Sequence, residues 1–194
     1  MIKNYSEKMA YILMNNNLIE DSEFNIYSYG FEVMIASFIN FLLVLIIGFI
    51  FNKFIHTIFF LVSYCLLRQF AGGYHAANHR NCTLMFLCMF LSTIIFSNIM
   101  IHIESVQTVI LVASVFNYIG VFILSPIEHR NKPLNLREKT IYSKISKLLV
   151  TILLVIVIIS VKSVNMIDYS LYISFAMFWS NIMLILAKFK SEGS

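Results

Sequence analysis

Charge is what this sequence has least of. Of its 194 residues, 12% are Asp, Glu, Lys or Arg, while 59% are hydrophobic. A soluble domain carries about 25% charged residues, so this chain lacks the polar surface to face water on all sides. Cysteine is scarce as well. Cys65, Cys82 and Cys88 are odd in number and fall in or beside apolar stretches, which excludes a disulfide framework. There is no internal repeat, no low-complexity run and no basic tract that would suggest a nucleic-acid partner. Residues 1–30 have no uninterrupted apolar core, because Lys3, Glu7, Lys8, Glu20, Asp21 and Glu23 break it. A cleavable signal peptide is therefore not expected.

What the chain does have is long apolar runs, and a bilayer is the solvent that suits them. In lipid every backbone polar group must be satisfied internally, which leaves helices or closed barrels. The runs here are continuous rather than alternating, which selects helices. Charge-free stretches cover 33–52, 54–67, 83–101, 105–127, 148–161 and 169–187. About 20 residues cross the hydrocarbon core, so the second and fifth are short, and Lys53, Lys147 and Lys162 can snorkel to lengthen them. The expectation is an all-α, polytopic membrane protein: one domain over 1–194 with about six transmembrane helices.

Positive charge orients it. With the N-terminus inside, 12 of the 14 Lys and Arg fall on the cytoplasmic side, leaving only Lys53 and Lys162 outside. Connections this short obey the positive-inside rule, so both termini are expected in the cytoplasm. In the N-terminal segment Ile2, Tyr5, Met9, Ile12 and Leu13 recur at helical spacing. They predict a short amphipathic helix, lying on the inner membrane surface or packed on the rest of the protein. Between the fourth and fifth stretches, Pro126 and Pro133 bracket Glu128-His129-Arg130-Asn131-Lys132. This basic loop sets topology, or binds acidic lipid or an acidic substrate segment through Arg130 and Lys132.

Residues with chemical potential collect in one connection, from Arg68 to Cys82. It holds two of the five histidines and the adjacent pair Gly72-Gly73. Cysteine and histidine make a nucleophile and base: the thiolate attacks, and imidazole moves protons near neutral pH. His79 and Cys82 are neighbours if the stretch is helical. His75 and Cys82 meet only if the chain bends, and Gly72-Gly73 supplies a place for bending. Successive glycine amides can also form an oxyanion hole. Spacing does not choose between the histidines. His75, His79 and Cys82 can alternatively converge on a metal ion. A small transporter or channel is a further alternative, although the spans hold no Asp, Lys or Arg and few of the buried ionisable groups that transport pathways use.

The run Arg-Gln-Phe-Ala-Gly-Gly-Tyr-His-Ala at 68–76, with Cys82 seven residues after His75, resembles the signature of the accessory gene regulator B (AgrB) family. Chain length, number of spans and the later Lys132-Pro133-Leu134 agree with that layout. These are bacterial membrane peptidases that process quorum-sensing precursor peptides. The resemblance implies a cysteine endopeptidase in which His75 and Cys82 are the catalytic pair, with Arg68 and Gly73 at positions the family needs. It implies a precursor peptide as partner, a cytoplasmic catalytic loop in a bacterial cell membrane, contact with lipid, and a homodimer. No metal or other cofactor is expected.

The shortness of the second stretch predicts that 68–82 begins below the membrane interface. Single cysteines engineered along it should therefore show at least some positions protected from a membrane-impermeant thiol reagent. Free reaction at every position would refute this.

Overall fold

The computed structural model describes residues 2–73, 79–127 and 135–192, and among these it is helical apart from short connections. Seven helices follow one another: α1 (Ile2–Asn15), α2 (Phe24–Ile50), α3 (Phe54–Ala71), α4 (His79–Met100), α5 (Val106–Leu124), α6 (Leu136–Ser160) and α7 (Ile167–Glu192). Six of them, α2 to α7, are long and apolar enough to cross a membrane. All of them except α5 run beyond the charge-free stretches, because charged residues are tolerated in terminal turns. α3 continues through Arg68 to Ala71, so its 18 residues rise about 27 Å. α6 begins twelve residues before Leu148, with its start held by a capping box between Asn135 and Glu138. The Lys147 amine lies 5.0 Å from the Phe122 ring centroid, a cation–π contact that places its charge against the neighbouring helix.

α1 packs along α2 and buries Ser6 and Ala10, two small residues one turn apart. Tyr5, Met9 and Ile12, the apolar stripe of the sequence, stay exposed on the bundle surface. The helix thus uses its small face for the protein and leaves its large apolar face outward.

α7 is the centre of the bundle. It packs against α3, α4, α5 and α6, and it is the most buried of the six long helices. Two apolar cores flank it. One joins Leu67 and Ala71 to α5, α6 and α7; the other joins Phe60, Leu61 and Tyr64 to α2, α4 and α7. Among the described residues, only α3 and α7 contribute buried side chains to both. Between helices in lipid the hydrophobic effect offers little drive, so close packing at small residues and interhelical hydrogen bonds carry the association. α7 shows both. Ser114 donates to Ser174 at 2.9 Å, Asn181 to Asn117 at 3.2 Å, Trp179 to Thr93 at 3.0 Å and Ser170 to Ser160 at 2.9 Å.

The α5–α7 approach depends on Gly120. A Cβ there would overlap the Asn181 amide. Gly120→Val should destabilise the protein by roughly 1–3 kcal/mol through overpacking, lowering the midpoint of a thermal melt in detergent. An unchanged midpoint would show that the Asn117–Asn181 seam is not tightly packed.

Candidate functional site

The site begins where α3 ends. The Gly72 N–H donates to the Arg68 carbonyl at 3.2 Å, closing the last turn, and the chain then enters positive φ at Gly72 (+78°) and Gly73 (+126°). Side chains rarely adopt such backbone, which is why two glycines stand here. The Arg68 guanidinium folds back over this exit and donates from Nη1 to the Gly72 carbonyl at 3.3 Å. It lies where a Cβ on Gly73 would have to sit. On the other side of Gly73, the backbone carbon and Cβ of Met183 on α7 come within 3.3 Å of that same position. Gly73 is therefore sandwiched between a charged side chain and the central helix, with no space for a methyl group.

A second segment is tied to this exit. The Ile127 N–H donates to the Ala71 carbonyl at 3.0 Å, and Gly72 and Ile127 pair as a single parallel bridge. The Ile127 carbonyl occupies the space a Gly72 side chain would need. Phe70 meets Tyr142 edge-on at 5.7 Å, and Ser125 hydrogen-bonds Ser146 at 2.8 Å, so the first half of α6 packs at the same end. The chain thus enters 128–134 immediately beside the glycine pair. His75, Arg130 and Lys132 themselves lie outside the described residues, as does the side chain of His79; the possible metal set of His75, His79 and Cys82 lies outside them for that reason.

Cys82 is half-buried in the first turn of α4. One turn further along α4, Phe86 packs on Tyr64 of α3 at 5.4 Å between ring centroids. Arg68 is one turn beyond Tyr64 in the opposite direction along the chain. α3 and α4 are antiparallel, so Arg68 and Cys82 both stand one turn above this aromatic contact, at the same end of the bundle. Tyr64 is buried there within electrostatic reach of both. Cys65 is also half-buried but belongs to the body of α3, and Cys88 is exposed further down α4.

The structure brings Arg68, Gly72, Gly73 and Cys82 to one end of the bundle. It also adds two neighbours the motif does not contain, Ile127 and Met183. The signal for them was the glycine pair itself, since adjacent glycines mark close backbone approach. One expectation changes. The Gly72 amide is committed to capping α3, which leaves it unavailable to an oxyanion, and the Arg68 guanidinium adds a charged donor at the same exit.

Comparison with known proteins agrees with this motif. The family described as Accessory gene regulator B matches residues 6–184. An AgrB-like protein of Clostridium perfringens (strain 13) is 29% identical over 166 residues, covering 83% of this chain and 78% of that protein. An AgrB-like protein of Listeria monocytogenes serotype 4a is 31% identical over 132 residues, covering 66% of this chain and 63% of that protein. No solved structure matches. With its six apolar spans and the 68–82 segment inside the matched region, this chain belongs to the AgrB family of multi-pass membrane proteins that act in processing quorum-sensing peptides.

Proposed function

We propose that this protein is a cysteine endopeptidase that removes the C-terminal tail of a signal precursor peptide and transfers the remaining acyl group to a nucleophile within the same peptide. The observation that carries the proposal is Cys82 in the first turn of α4, at the end of the bundle where Arg68 caps α3. His75 is the base that generates the thiolate. Cys82 Sγ attacks the carbonyl preceding the tail, and the oxyanion that forms is balanced by the Arg68 guanidinium. Collapse breaks the peptide bond, His75 returns the proton to the leaving amine, and a Cys82 thioester remains. A cysteine thiol or serine hydroxyl of the peptide then attacks the thioester, its proton passes to the Cys82 thiolate through His75, and a thiolactone or lactone ring is released.

A thioester suits this purpose. Transfer of its acyl group to another thiol is nearly isoenergetic, whereas transfer to water is strongly downhill, so water must be kept out and the internal nucleophile held near. Proximity supplies effective molarities of roughly 10⁵ M or more in well-oriented systems. Gly73 is buried against α7, so the site starts inside the helix bundle rather than on an open loop. The distribution of Lys and Arg supports a cytoplasmic position for this end, where a charged peptide tail would meet the basic segment that follows Ile127.

Two outcomes test this. Co-expressed with its precursor, the wild type should yield cleaved peptide and a thiol-labile Cys82 adduct, and Cys82→Ala neither; cleavage by Cys82→Ala would end the proposal. Because the Arg68 guanidinium occupies the space of a Gly73 Cβ, Gly73→Ala should displace it. Arg68→Ala and Gly73→Ala should then each lower the cleavage rate, with the double variant no worse than the more damaging single one. Additive losses would show that the two residues act separately.

A further inference from the structure

At the end of the bundle opposite Cys82, three titratable side chains form a cluster the mechanism does not use. Asp168, in the first turn of α7, accepts from Lys53 Nζ at 2.5 Å and from His56 Nε2 at 3.1 Å. All three are largely buried, with side-chain exposures of 15–25%. The His56 ring stacks flat on Tyr169 at 4.3 Å and leans on Tyr172 at 5.3 Å, and Phe59 meets Tyr169 edge-on. The backbone carbonyl of Lys53 also accepts from the Thr57 hydroxyl at 2.8 Å, which anchors the α2–α3 turn to the first turn of α3.

The position of this cluster relates it to the site. Lys53 and Asp168 are 115 residues apart in the chain. Arg68 and Met183, which flank Gly73 at the other end, have the same separation. α3 and α7 therefore run parallel in one register: Lys53 faces Asp168 at one end and, about 22 Å further along both helices, Arg68 stands level with Met183 at the other. Apolar packing between helices is weakly directional along their axes, and a buried ion pair adds little net stability. What it adds is a unique register, because a shift of one helix along the other separates the charges.

We infer that the Lys53–His56–Asp168 cluster is a register lock, which holds α3 and α7 at the axial offset that seats Gly73 and Arg68 against Met183. Asp168 is a positioning residue, acting on the far end of the bundle through the two helices. This rests on the peptidase reading for its activity readout, and a second readout is independent of it. Trp179, the single tryptophan, lies on α7 between the two ends and is hydrogen-bonded to Thr93.

The experiment uses the full-length protein in liposomes with its precursor peptide. Asp168→Asn should lower kcat roughly 10- to 100-fold, as a displacement of about 1 Å does. KM should be unchanged, since the peptide binds at the other end. Trp179 emission should shift in the same variant. The exchange Lys53→Asp with Asp168→Lys should restore both kcat and emission. A kcat for Asp168→Asn within twofold of wild type, or a loss the folded exchange variant does not restore, overturns the lock. Should the exchange variant fail to fold, Lys53→Arg should retain wild-type kcat and Lys53→Ala lose it; equal rates in the two overturn the inference. If the wild type cleaves no precursor, the peptidase reading fails, and the lock is then judged on Trp179 alone: unchanged emission in Asp168→Asn overturns it.

Discussion

Helices in a bilayer are not driven together by water, and the whole arrangement depends on how α7 overcomes that. It does so with small and polar residues placed on several faces: Ser170, Ser174, Ser180 and Asn181 are all buried. Through three of them and Trp179 it hydrogen-bonds α4, α5 and α6. Its polar side chains have little alternative in hydrocarbon, so each bond ties α7 to a particular partner at a particular height. Without that helix the two apolar cores would share only α3.

The end of the bundle that carries Gly73 exploits the same close packing. Gly73 lets Arg68 lie across the helix exit and lets the backbone touch α7, so a charged group is held by geometry as well as by its hydrogen bond to Gly72. The bond from Ile127 to Ala71 brings a second connection to the same spot. Cys82, the Arg68 guanidinium and the root of the basic segment thus reach one end of the bundle from α4, α3 and the chain after α5.

Much of this was legible in the residues. Charge-free stretches located six spans, and the run from Arg68 to Cys82 pointed to the residues of the candidate site. The extents of α3 and α6 were less legible. Arg68 and the Arg137–Lys147 region look like loop by charge, yet both are helical, because a terminal turn can carry its charges to the membrane boundary. The central role of α7 was hidden for a different reason. Hydropathy rewards a residue equally for facing lipid or protein, so α2, which is barely buried, reads as more apolar than α7. Serines and asparagines within an apolar run were the available sign. Ile127, Met183 and Asp168 were not legible as partners of the site or of each other, since only tertiary structure gives them neighbours.

The helix on which the bundle depends is also the last of the six spans in chain order. As the chain leaves the ribosome, α2 to α6 enter the bilayer before the segment that will join them exists. Until α7 arrives, Ser114, Asn117, Thr93 and Ser160 have no partners on it, and Gly73 has nothing to rest against. Assembly of the bundle is therefore post-insertional, since the helix that joins its two cores is the sixth of the six spans to enter. A chain interrupted before α7 would remain a set of loosely associated spans, a ready target for membrane quality control.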